Sequence, residues 1–412
     1  MKKNPESGKG RFLKPTFFYR LVGSNNIMDL FTPVDDPKKL HKNFLNVIAE
    51  SEDYARSVLL NWAEGFIDRD GKFVKEFQTS FNSSFWELYI FACLKELGFV
   101  VDFSYERPDF VVNTEEISFC IEASIASSAF DTPDEWEADY SPETIKNLDK
   151  GNIVDFATIR LSNTLTAKYK KFINDYSRLE HVKGKPFLIA IAPFEQPFSY
   201  LQNEQAIRRV LYGFDKFIYE EFPERNERII LGQEYLDSIT KPNGSKIPLG
   251  YFVKGMMNEI SAVIFSNTAT FGKVRALSND PGDLFFESIR YNDFGLKPIH
   301  TILPKKEYRE TLLDGLHIFH NPLAEHPINY HVFNREEITH HNFDMIKGIP
   351  LVRTHHGFLF QRSTFKLNIP SRKMRRKIYR SIKEINLKLQ RKHIKTDRPL
   401  SIKDLEDILG PL

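Results

Sequence analysis

Three carboxylates stand where burial alone would not put them. Glu87 is the only charged residue between Ser83 and Leu94. Asp109 follows Pro108 at the head of Phe110-Val111-Val112, and Glu122 interrupts the apolar run Phe119-Cys120-Ile121. An ionised carboxylate removed from water without a partner is costly, so such groups are ion-paired, hydrogen-bonded or held by a cation. Three acids in one short stretch point to a divalent-cation site.

The elements that must position these acids are legible around them. Asn82-Ser83-Ser84 reads as the cap of a helix running to about Leu97, with Gly98 as its stop. Phe99 to Tyr105, Asp109 to Val112 and Ile117 to Ser124 read as strands. The link Asn113-Thr114-Glu115-Glu116 has an even length, so Asp109 and Glu122 are expected on one face of the sheet. A long helix over Val154 to Tyr176 follows, then the apolar runs Phe187 to Ala192 and Ile260 to Phe265, typical of strands buried on both faces. Helix, three strands, helix, strand is an α/β order. It implies a central mixed sheet flanked by helices.

The flanks differ in texture. Pro37 to Ile67 carries apolar residues at helical spacing, whereas residues 1 to about 35 read as loop. Residues Asp131 to Asp149 form an acidic insertion, expected as a solvated loop that covers the site or leaves it open. Beyond Pro281-Gly282, nine of the twelve histidines lie between His300 and His356. Ser371 to Lys395 is a basic amphipathic helix. Met374, Ile378, Ile382, Ile385 and Leu389 form its apolar stripe, and eleven Lys or Arg oppose Glu384.

Composition narrows the class. A chain of 412 residues holds two or three domains and a large core, and its 36 Phe enrich that core or a contact surface. A net charge of +2 does not by itself call for nucleic acid; only the distribution of charge does. Cys93 and Cys120 sit in apolar runs and read as buried thiols of a reducing compartment. Met1 to Pro15 is polar and basic, unlike a secretory signal, and no run approaches the ~20 apolar residues of a membrane span. A cytoplasmic protein with no membrane partner is expected, and a homo-oligomer stays open.

Glu87 on a helix, Pro108-Asp109 on the second strand and Glu122 on the third resemble the PD-(D/E)XK nuclease superfamily, over residues 76–195. The resemblance implies a restriction-endonuclease-like core and Mg²⁺- or Mn²⁺-dependent hydrolysis of phosphodiester bonds, with DNA as the expected partner. It implies metal and catalytic roles for Glu87, Asp109 and Glu122, and restriction or defence against foreign DNA as the setting. The chain departs from the pattern at Ser124, where the superfamily has Lys. A Lys can migrate to the following helix, where Lys168 follows Leu161 and Leu165 and precedes Phe172 on the sheet-facing side. Lys168 is therefore the fourth candidate catalytic residue, with Lys171 next. A catalytically inactive nuclease-fold protein that binds nucleic acid or serves an assembly is the alternative, and acids held in structural ion pairs are a third reading.

The expected organisation is a mainly helical region over 1–75, the nuclease-like core over 76–285, and a His- and aromatic-rich region over 286–412. On the basic helix, Arg372, Lys373, Arg375, Arg376, Lys377 and Arg380 are expected to contact a phosphate backbone. His317-x-x-His320, with His326 and His331 beyond, invites a zinc reading, but the region has no cysteine and reads better as strand and turn. Gln78 reads as a satisfied core amide.

Overall fold

The computed structural model describes residues 28–367, 369 and 371–391. The loop reading of residues 1–27, and the ends of the terminal regions and of the basic helix past these bounds, lie outside the described residues.

Helices α1 (Lys42–Ile48), α2 (Asp53–Ala63) and α3 (Phe73–Thr79) lead into α4 (Phe81–Glu96). Helix α4 is apolar all round, with Phe85, Trp86, Leu88, Tyr89 and Ile90 all buried, which makes it a core helix rather than a surface one. Gly98 ends it in the left-handed region at φ 78°. The cap expected from Asn82-Ser83-Ser84 is corrected: the helix already runs from Phe81, and Asn82 turns inward to Asn43 and Glu135. Gln78 donates to the Leu30 and Thr32 carbonyls and accepts from the Val34 amide, so it ties down the preceding loop.

Strands β1 (Val100–Asp102), β2 (Phe110–Asn113) and β3 (Ser118–Ser127) follow. After α5 (Pro142–Lys146) and α6 (Lys150–Asn174), β4 (Phe187–Phe194) is buried at every residue, as a strand covered on both faces must be. Next come α7 (Gln205–Tyr212), the hairpin β5 (Phe214–Phe222) and β6 (Glu227–Tyr235), and the small pair β7 (Ser238–Thr240) and β8 (Lys246–Pro248). The chain continues through β9 (Ala262–Phe265), α8 (Phe271–Leu277), β10 (Leu284–Arg290), β11 (Ile299–Pro304) and β12 (Leu316–His320). It ends in β13 (Ile338–Asp344), β14 (Ile349–Arg353), β15 (Leu359–Lys366) and α9 (Arg372–Arg391).

Eight strands make one mixed sheet in the order β1-β2-β3-β4-β9-β12-β13-β14. Strands β3, β4 and β9 run parallel, and so do β12 and β13, while β1–β2, β2–β3, β9–β12 and β13–β14 are antiparallel. Side chains alternate between the faces. Phe110, Val112, Phe119, Ile121, Leu188 and Ile264 pack toward α4, and Val111, Cys120, Ile189, Val263 and Phe265 pack toward α6 and α7. The α/β class with helices on both faces of a mixed sheet is what the structure has.

Strands from both sides of residue 285 share this sheet, since β12, β13 and β14 extend what β1 to β9 begin. Beside it, β11, β10 and β15 form a three-stranded sheet covered by α9, whose Ile378, Ile382 and Ile385 seat on Phe285 and Ile302. The acidic insertion keeps Asp131, Glu137, Asp139 and Glu143 exposed, as expected of a solvated segment, but part of it docks on the core. Its Glu135 accepts from Asn43 and Asn82 at 2.6 and 2.8 Å, and Ile145 is buried with Phe198 and Leu201. Among the described residues no helix is long and apolar enough to cross a membrane.

Candidate metal centre

Strand β2 pairs with β3 from Phe110 opposite Ile121 onward. Carried one residue back before the start of β2, that register sets Asp109 across from Glu122. There β2 has not yet begun while β3 continues, so the amide of Ala123 has no strand partner on that side. Asp109 supplies one: its Oδ2 accepts from the Ala123 N–H at 2.7 Å. Arg69 steadies the approach by donating to the Tyr105 and Pro108 carbonyls at 2.5 and 3.3 Å.

Glu122 projects from β3 toward α6 and is only 2% exposed. Its Oε1 accepts from Lys168 Nζ at 2.8 Å and from Lys171 Nζ at 3.1 Å. Leu161, Leu165 and Phe172 are buried on the same side of α6, so the helix that packs on the sheet also delivers both ammonium groups. Oε2 of Glu122 is buried with no hydrogen-bond partner. Tyr176 stands beside this carboxylate, and burial together with that neighbour pushes its hydroxyl well above the usual phenol range. Ser124 lies two residues along β3 from Glu122 and therefore on the same face.

Glu87 comes from α4, on the opposite side of the sheet, and feels the charge of Asp109 and, more weakly, of Glu122. Burial first, then the charge of Asp109, pushes its carboxyl up to about 8, with Arg69 opposing. Burial and then Glu122 push Asp109 up to about 7, offset by the Ala123 amide, Lys168 and Arg69. Acids this close and this dry do not ionise together unless a positive charge joins them. The ammonium groups of α6 are committed to Glu122, which leaves Asp109 and Glu87 short of cation.

Among the described residues, no three His, Cys, Asp or Glu side chains converge as a ready ligand set. Asp109 is the strongest charged neighbour of Glu87, and Glu122 is a weaker one. Asp109 thus interacts with both Glu122 and Glu87, whereas Glu87 and Glu122 interact only weakly. Two carboxylates suffice for Mg²⁺ or Mn²⁺, because water and substrate complete the octahedral shell. The unpartnered Glu122 Oε2 and the raised Asp109 carboxyl fit such an ion.

Lys171, Tyr176 and Arg69 complete the surroundings. Lys171 stands three residues from Lys168, a spacing that keeps both on one helix face. Arg69 lies in a turn some forty residues before Asp109, and no local signal ties the two.

The other sequence-expected residues lie elsewhere. Helix α9 stands on the three-stranded sheet. Arg372, Lys373, Arg376, Lys377 and Arg380 are exposed there, while Arg375 is paired with Asp283 at 2.7 Å. His317 and His320, three apart on β12, face opposite sides of the sheet and cannot join in one chelate. Each pairs across to β13 instead. His317 Nδ1 lies 3.0 Å from His341 Nε2, and His320 Nε2 lies 3.0 Å from His340 Nδ1.

No family model, no curated protein and no solved structure matches this chain.

Proposed function

We propose that this protein is a Mg²⁺- or Mn²⁺-dependent nuclease with a restriction-endonuclease-like core, acting on the phosphodiester bonds of DNA in restriction or defence. One observation carries the reading. Asp109 caps the Ala123 amide next to Glu122, whose Oε2 is buried and unpartnered while Lys168 holds its other oxygen.

A divalent ion bound there supplies charge neutralisation for the phosphoryl oxygens and acidifies a water molecule. Asp109 and Glu122 hold that ion through their carboxylate oxygens. Glu87, whose carboxyl is raised by burial and by Asp109, holds a proton. Lys168, whose ammonium lies on Glu122, would orient the attacking water by donating to its oxygen from Nζ. This is the service that Ser124 cannot perform, since a hydroxyl carries no positive charge. Arg372, Arg376 and Arg380, exposed along one row of α9, bind the substrate backbone.

Purified protein incubated with duplex, single-stranded and branched DNA, and with RNA, tests the reading in Mg²⁺ and in Mn²⁺. Cleavage is expected with the metal and none with EDTA, Asp109→Ala or Glu122→Ala. Absence of cleavage on every substrate removes the enzyme reading.

A second reading keeps the fold and drops the chemistry. The Glu122 ion pairs with Lys168 and Lys171 favour it, because they satisfy a buried acid without a metal. On that reading the chain is a nucleic-acid-binding or assembly subunit, and Mn²⁺ leaves its thermal stability unchanged.

A further inference from the structure

The cations of α9 are not equivalent. Seating Ile378, Ile382 and Ile385 on Phe285 and Ile302 fixes the rotation of the helix, and rotation decides where each basic side chain goes. Arg372, Arg376, Arg380 and Lys383 follow one another at intervals of four, four and three residues, so they form one row. The row lines an open groove of about 850 Å³ whose far wall carries Lys305 and Lys306. Lys373 and Lys377 are exposed and point away from the groove lining.

The acids in the groove are already engaged. Asp280 pairs with Lys366 and Asp283 with Arg375, at 2.8 and 2.7 Å, and Glu307 lies 3.8 Å from Lys306. Among the described residues none of them reaches the four cations of the row. The groove therefore presents a line of positive charge to whatever enters it.

We propose that this groove binds a single strand of nucleic acid along its sugar–phosphate backbone. Shape selects that occupant over a compact polyphosphate. Eleven residues of helix at ~1.5 Å each give the row a length of about 16 Å, which suits a chain of phosphates. A volume of about 850 Å³ spread over that length leaves a cross-section on the order of 50 Å², the scale of one strand. A duplex, whose major groove alone is ~12 Å wide, meets only the rim. Tyr379 lines the groove and offers a ring for a base to stack on; the Lys306 ammonium now lies 4.5 Å from its centre.

The inference rests on the proposed function only for the class of ligand, and binding measured in EDTA separates the two. The probe is a fluorescently labelled single-stranded DNA oligonucleotide, read by anisotropy over a series of salt concentrations. Arg376→Glu with Arg380→Glu is expected to weaken binding at least tenfold. The same pair is expected to reduce the slope of log K against log salt by about 1.4, at ~0.7 for each lost phosphate contact. Lys373→Glu with Lys377→Glu makes the same change of charge off the groove and is expected to leave that slope unchanged. Both pairs are on exposed positions, and unaltered melting temperatures certify the fold. Equal losses from the two pairs, no binding in EDTA, or tighter binding to duplex DNA or to anionic vesicles overturns the groove. Cleavage absent with groove binding intact overturns the nuclease reading alone.

Discussion

Lys168 crosses from α6 to the sheet and holds Oε1 of Glu122 at 2.8 Å, on the same face as Ser124. A positive charge thus reaches this strand from a helix, in contact with a buried acid. Lys171 lies 3.1 Å from the same oxygen, so the two amines divide one partner. Lys168→Met is expected to lower cleavage at least ~100-fold, the usual cost of removing one positioned hydrogen-bond donor. Because Lys171 still holds Glu122, stability falls by only about 1 kcal/mol. The double variant Lys168→Met/Lys171→Met strands a buried carboxylate and costs about 3 kcal/mol, the low end for a broken buried pair. Cleavage rates and denaturant midpoints measure the two effects separately, and full activity in Lys168→Met removes this residue from the mechanism.

The raised carboxyls set a pH dependence whose sign follows from linkage. Asp109 at about 7 and Glu87 at about 8 lie above the ordinary carboxylate value. The folded state therefore holds protons that the unfolded chain releases between about pH 4 and 8. Their contribution to stability is fully present below pH 4 and is lost as pH rises through 7 and 8. Melting temperature in EDTA is expected to carry this falling component, and Asp109→Asn to flatten it. Mn²⁺ binds the ionised form, so its stabilisation grows from pH 6 to pH 8. A metal effect independent of pH, or equal in Asp109→Asn, contradicts the assignment.

How far this centre was legible in sequence depends on how local each signal is. The even-length link between Asp109 and Glu122 and the sheet-facing spacing of Lys168 are short-range patterns, and the register and the ion pair follow them. Arg69 gave no signal because its partners are backbone carbonyls of Tyr105 and Pro108, which any residues would provide. Glu135 misled for a related reason. An acid-rich stretch reads as solvated, yet two amides, Asn43 and Asn82, satisfy its carboxylate while Ile145 anchors the segment. The placement of β12 to β14 beside β9 depends on pairings between residues more than fifty apart, such as His317 with Phe265, which leave no local period to read.

A buried charge cluster away from the candidate site makes a prediction about stability alone. Glu310 is fully buried, with Lys273 at 2.6 Å and Arg362 at 3.0 Å. It joins α8 and β15 to the loop before β12. Glu310→Gln leaves two buried cations without their anion, at a cost of about 4 kcal/mol. Lys273→Met leaves Glu310 still paired with Arg362 and puts an apolar chain in a dry place, so it should cost much less. Urea unfolding of the two variants checks the asymmetry; equal losses mean that the Lys273 contacts to the Thr311 and Asp314 carbonyls matter as much as the charge.

The histidine pairs on β12 and β13 predict an opposite, acidic limb. Burial pulls His317, His320 and His340 down to about 4, and His341 well below its ordinary range. A neutral imidazole can donate one N–H to its partner, whereas two protonated rings 3.0 Å apart repel each other in a medium that cannot screen them. The unfolded chain takes up these protons near pH 6.5 and the folded chain only near 4. This stability is therefore complete above pH 6.5 and is lost as pH falls toward 4. It opposes the limb set by Asp109 and Glu87, so the two are separated by substitution. In His320→Gln/His340→Gln the melting temperature should fall less steeply between pH 6.5 and 4.5 than in the parent chain. The Asp109→Asn variant should keep the acidic limb at full slope, because its own change lies at higher pH. A limb equally steep after both histidines are replaced would locate acid sensitivity elsewhere in the fold.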